Sequence, residues 1–77
     1  MIIKYSKKFL DLSQIPQFSV IVDRPNPDVY QVIIGYGGKS IEMDKFLDEK
    51  DAIYRAEKIE GSISTGLTKG LAFLALD

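Results

Sequence analysis

From residue 17 onward, apolar and polar side chains alternate one by one. Phe18, Val20 and Val22 fall on one side and Ser19, Ile21 and Asp23 on the other, which predicts a half-buried strand within residues 17–24. Arg24-Pro25-Asn26-Pro27-Asp28 is dense in turn formers, since proline fixes φ while Asn and Asp bond to nearby backbone. Residues 29–36 form the next strand, and both of its faces are apolar or aromatic. Tyr30, Val32, Ile34 and Tyr36 lie on one side, Val29 and Ile33 on the other, so this strand is either central or covered twice. Gly37-Gly38 supplies a tight hairpin turn. In the third strand Ile41 and Met43 alternate with Ser40, Glu42 and Asp44. The pattern predicts a three-stranded antiparallel meander.

The flanks are less regular. Residues 1–5 are β-prone and suit a short extra N-terminal strand at an edge. Phe9, Leu10, Leu12 and Ile15 have loose helical spacing that Pro16 stops, predicting a short helix or an ordered loop packed by those four side chains. Asp48 begins a helix by accepting bonds from first-turn amides, and Glu49 and Asp51 suit the positive end of its dipole. Its expected apolar stripe is Ala52, Ile53, Ala56 and Ile59, with an Asp51–Arg55 ion pair and Gly61 as the C-terminal stop. In the tail, Ser64 or Thr65 caps a second helix carrying Leu67, Leu71 and Leu74, or residues 71–76 are a final buried strand. The i, i+4, i+7 spacing and the alanines favour helix, although Gly66 and Gly70 each weaken it by about 1 kcal/mol relative to Ala. The fold class expected is α+β: a three-stranded antiparallel meander packed on one or two C-terminal helices, in a single domain over residues 1–77.

Composition narrows the function. With 77 residues, the core gain barely exceeds the entropy cost of ordering the chain. The chain has no Cys and no His, which removes disulfides, thiolate nucleophiles, imidazole bases and nearly all transition-metal sites; no cofactor is expected. Ten basic against eleven acidic residues give a net charge of -1. Lys4, Lys7 and Lys8 form the one basic cluster, while Lys39 and Lys69 stand apart, so nucleic-acid binding is not expected. No apolar run approaches the roughly 20 residues that span a bilayer. No signal peptide is expected at Met1-Ile2-Ile3-Lys4-Tyr5 either, and the expected location is the cytoplasm.

Three motifs suggest chemistry and are better explained otherwise. The segment Gly35-Tyr36-Gly37-Gly38-Lys39-Ser40 ends like a phosphate loop. However, Ile33 occupies the position of the leading glycine, and the segment opens a strand, not a helix. Asp44, Asp48, Glu49 and Asp51 match no calcium loop. Gly66 and Gly70 have small-xxx-small spacing, which in a non-membrane tail points to a close internal contact or a loop. Nothing pairs a nucleophile with a base, so no enzymatic activity is expected.

The four tyrosines are the most informative residues. Tyrosine joins large contact area to a polar tip, which interfaces favour. Tyr5, Tyr30, Tyr36 and Lys39 are the candidate partner-binding residues. Tyr30 and Tyr36 are expected on the sheet face opposite the helices, with Val29 and Ile33 turned toward Ile53 and Ile59.

The layout resembles the small phage-encoded anti-CRISPR proteins that inhibit the type I-F surveillance complex. The residues that carry the resemblance are Ile3-Lys4-Tyr5, Gly38-Lys39-Ser40 leading into a strand, Phe46 before the helix, and Ser64-Thr65-Gly66-Leu67. It implies a non-enzymatic protein that docks a tyrosine-bearing sheet face on a CRISPR surveillance complex or other host defence protein and blocks target hybridisation. Tyr5 matches a docking position of that family; its second key tyrosine falls near Val22 or Asp23 here, and its strand glutamate near Ile33. Two other classes compete: a small nucleic-acid-binding domain like the integrase arm-binding domains, and an oligomeric accessory subunit that buries its two-sided strand against its own copy.

Overall fold

The computed structural model describes residues 1–13 and 17–77. In chain order it contains β1 (Ile2–Tyr5), β2 (Lys8–Asp11), β3 (Phe18–Asn26), β4 (Val29–Tyr36), β5 (Lys39–Phe46), α1 (Glu49–Lys69) and β6 (Phe73–Ala75). The strands form two three-stranded sheets, β3-β4-β5 and β2-β1-β6. The class is α+β, with one helix where two were open and a second sheet that the alternation pattern did not predict.

The larger sheet is the expected antiparallel meander. Asn26 Oδ1 accepts from the Asp28 amide at 3.0 Å and Arg24 Nη2 donates to the Pro27 carbonyl at 2.7 Å, closing the first turn. The Gly37-Gly38 turn has positive φ at Gly37, 62°, which glycine adopts at no steric cost.

Register assigns the faces, because residues paired across strands share one. Phe18, Val20 and Val22 stand beside Tyr36, Ile34 and Val32, and Ile34 beside Ile41. Val32, Ile34, Ile41 and Met43 are buried, and α1 lies across this side of β3, β4 and β5. Tyr30 and Tyr36 therefore share the helix-covered face and pack half-buried at its margins. This corrects the expectation that they mark the uncovered face. Two-residue periodicity ties them to Val32 and Ile34, the bulkiest aliphatics of the strand and the ones the helix takes. The open face carries Ile21 and Ile33 among polar residues such as Ser19, Asp23 and Glu42. None of the paired residues on that face is aromatic.

One irregularity redirects a side chain. Gln31 pairs with Lys45 and Ile33 with Glu42, so Met43 and Asp44 together oppose Val32. This β-bulge breaks the alternation that would send Asp44 outward with Glu42, and turns it toward the interior.

The helix is longer than its glycines suggest. Asp48 caps it, accepting from the Lys50 amide at 2.9 Å. It then runs past Gly61, because Ile63 and Gly66 extend the buried stripe of Ala52, Ala56 and Ile59 at alternating spacings of four and three. Burial of Ile63 outweighs the roughly 1 kcal/mol propensity cost of an exposed glycine. Ile53, expected in the stripe, is exposed. Gly70 is the actual stop: at φ 71° its amide donates to the Leu67 carbonyl and that of Leu71 to the Gly66 carbonyl, the paired bonds of a Schellman end. Gly66 is small for another reason, since a Cβ there would sit 3.1 Å from Met1 Sδ.

The smaller sheet joins both flanks. Residues 6–11 are neither helix nor loop: β1 and β2 form a hairpin around Ser6-Lys7, with Ser6 at φ 55°. Of the four side chains expected to pack there, Leu10 and Leu12 are buried and Phe9 is exposed; Ile15 lies outside the described residues. The tail matches neither reading as a whole: α1 itself runs on to Lys69 with Leu71 and Leu74 beyond it, and β6, exposed at Phe73 and Ala75, pairs parallel with β1, Ile3 beside Leu74. Ile3, Leu10 and Leu74 join the core formed by the helix and meander.

Candidate functional site

The same register gives the outward side of the small sheet. Ile2 stands between Asp11 and Phe73, and Lys4 between Phe9 and Ala75. Burying Ile3, Leu10 and Leu74 inward forces their neighbours outward. Ile2 is 41% exposed, Phe9 62% and Phe73 51%, and Leu71, just before β6, is 42% exposed. Two phenylalanines and an isoleucine thus share one uncovered face, with Lys4 among them on the central strand and Asp11 at the edge. Elsewhere the exposed large apolar residues are Ile21 on the other sheet and Leu47, Ile53 and Tyr54 around the start of α1.

Behind this face lies a polar cluster that fixes the small sheet to the rest of the fold. The Tyr5 hydroxyl donates to Asp44 Oδ1, which the bulge turns toward it. Arg55 Nε donates to Asp44 Oδ2 at 2.9 Å, and its Nη2 donates to the Leu76 carbonyl at 2.8 Å. One arginine from α1 therefore bridges β5 and the segment after β6. This replaces the expected Asp51–Arg55 helix pair: a partly buried partner with good geometry outcompetes an exposed one. Bonding to the Asp44 carboxylate is the main reason the Tyr5 pKa is raised above its ordinary 10.0; burial and the Asp44 charge act the same way, and Arg55 opposes them. Around the rim, Asp77 Oδ2 accepts from the Ser6 amide at 2.9 Å and lies 3.8 Å from Lys4 Nζ.

The candidate residues named from sequence do not converge. Tyr5 belongs to the small sheet and faces inward to Asp44. Tyr30 pairs with Phe46 and holds the Arg24 guanidinium 5.3 Å from its ring centroid. Tyr36 lies at the other end of β4, paired with Lys39 on a shallow surface that also includes Asp11 and Ser13. The acidic residues do not gather either. Asp44 is committed to Tyr5 and Arg55, Asp48 caps the helix, and no group of three possible metal ligands occurs among the described residues. No described helix is long and apolar enough to cross a membrane.

Sequence reasoning missed Ile2, Phe9 and Phe73. A signal was present for Phe9, since Lys8-Phe9-Leu10-Asp11 read as a strand puts Phe9 opposite Leu10. Phe73 had no local signal, because its placement depends on pairing with the other end of the chain. Comparison with protein-family models, with curated proteins and with solved structures finds nothing that matches this chain.

Proposed function

We propose that this chain is a non-enzymatic protein-binding module whose partner covers the outward face of β2-β1-β6. The observation that carries this reading is the joint exposure of Ile2, Phe9 and Phe73 on one small, otherwise well-packed sheet. Contiguous apolar surface is uncommon on small proteins unless it binds something. Aromatic side chains are enriched in interface cores. The Tyr5, Asp44 and Arg55 side chains behind this face are engaged in holding the fold together, and Lys4, on the face itself, lies 3.8 Å from Asp77 Oδ2, which supports binding over catalysis.

The specific form of the proposal is a steric inhibitor of a host defence complex, acting in the host cytoplasm, as the resemblance to type I-F anti-CRISPR proteins implies. In that form the docking surface is the Ile2, Phe9 and Phe73 face and not a tyrosine face. The test adds the purified protein to a type I-F surveillance complex and measures hybridisation with target DNA. Inhibition that Phe9→Ala with Phe73→Ala abolishes supports this form, and an unaffected complex refutes it. The broader reading is tested by placing a photo-crosslinking amino acid at position 9 or 21 in host cells. A discrete adduct at 9 but not 21, lost on Phe73→Ala, supports it; equal labelling at both positions refutes it.

A further inference from the structure

We infer that the free edge of β6 and the groove beneath it form a docking site for an extended peptide segment of the partner protein. This rests on the protein-binding reading and specifies how the partner is held. β6 is the edge of its sheet, with β1 on one side and no strand on the other among the described residues. The Ile2 amide donates to the Ala72 carbonyl and the Leu76 amide to the Lys4 carbonyl, both at 2.9 Å. In a parallel ladder alternate residues turn both backbone groups toward the same neighbour. Ala72, Leu74 and Leu76 therefore address β1, and Phe73 and Ala75 direct their N–H and C=O groups to the free edge. Both residues are exposed. Such an edge presents two donors and two acceptors in the order an added strand matches.

The surface beneath that edge fits the side chains of such a strand. A groove runs between β6 and α1, floored by Leu71 and Leu74 and walled by Gly61, Ser62, Thr65 and Gly66. Gly61 keeps the wall low, with nothing within 4 Å of where its Cβ would be. A strand added at the edge sends alternate side chains into this groove and the others over Phe73 on the outward face. Lys58 and Lys69 flank the groove against one carboxylate, Glu57. The matching segment is therefore extended, apolar at alternate positions, and acidic beside the lysines. A second copy pairing β6 to β6 fits less well. Three residues a side bury far less than the roughly 800 Å² per partner of a stable interface.

The test pans displayed random dodecapeptides against the full chain and measures binding of the synthesised winners by fluorescence anisotropy. Ala75→Pro removes one free-edge donor without touching the β1 ladder, and Thr65→Trp fills the groove from an exposed helix position. Each is expected to weaken binding about tenfold or more, while Ile21→Ala, on the open face of the other sheet, changes it less than about twofold. The amides of Phe73 and Ala75 should exchange more slowly in the complex. If Ala75→Pro lowers the melting temperature, Thr65→Trp decides alone. Winners insensitive to Thr65→Trp that leave both amides unprotected overturn the inference, as does panning that yields no winner or an Ala75-dependent dimer. The photo-crosslinking at position 9 reports on the broader reading independently, so the two fail separately.

Discussion

The two sheets of this protein are built on opposite principles. The meander closes through two short turns between sequence neighbours, and its apolar side is covered by a single helix. The small sheet takes one hairpin from the beginning of the chain and one strand from its end, and it covers only its inward side. In the first, most large apolar residues are spent on the core, Ile21 and Ile33 excepted; in the second, Ile3, Leu10 and Leu74 go inward while Ile2, Phe9 and Phe73 remain available. The difference teaches where a fixed core and an open apolar surface separate in a chain with no cysteine. The locally closed half supplies most of the fixed core, and the half assembled from distant segments carries the surface left open.

The comparison breaks first at the meander's centre. Ile34 is fully buried on β4, so Ile34→Ala should cost about 2–5 kcal/mol and unfold both sheets together in a urea titration. If the small sheet kept its hairpin amide protection after that loss, the two halves would be independent units.

A smaller effect isolates the link between the halves. Asp44→Ala leaves the Tyr5 hydroxyl and the Arg55 guanidinium without their partner, at a cost of about 1–2 kcal/mol given their partial exposure. Amide exchange should quicken in β1 and β6 more than in β3 and β4. The same link carries a pH dependence. Because the folded state raises the Tyr5 pKa, the stabilisation is fully present below pH 10.0 and is lost as pH rises through the raised value. Melting temperatures measured across that alkaline range should fall less steeply in Tyr5→Phe than in the wild type.

Gly61 offers a gain. It lies inside α1 with open space around it, so Gly61→Ala should stabilise by about 0.5–1 kcal/mol, visible as a raised melting temperature. The smallest stability change is expected on the proposed binding face: Phe9→Ser should shift stability by no more than about 0.5 kcal/mol, since the ring is mostly exposed. A large loss there would place Phe9 in the core and erase the contrast between the halves.

These halves also differ in how far the sequence reveals them. Alternation and turn residues specify β3, β4 and β5 because each strand's partner is its sequence neighbour. The pattern does not say which side of a two-sided strand the helix takes, and Tyr30 and Tyr36 fall on the covered side because Val32 and Ile34 do. Gly61 misleads because helix propensity is weaker than the burial of Ile63, two residues beyond it. Asp44 turns inward only because Met43 and Asp44 share one partner, a bulge that alternation alone cannot signal. The surface residues Ile2 and Phe73 depend on a parallel pairing between opposite ends of the chain, which leaves no local trace.

That pairing sets an order of events when the chain is made. Residues 1–69 already hold the hairpin, the meander and the helix, but β1 still has an unsatisfied edge. Closing it requires pairing Ile2–Lys4 with Phe73–Ala75, segments far apart in sequence, and such contacts are slow to form. During synthesis the β1 edge and the apolar side chains of Ile3 and Leu10 therefore wait until Phe73–Ala75 has left the ribosome. β6 thus completes the sheet that β1 begins, and until it pairs that edge is open to other chains.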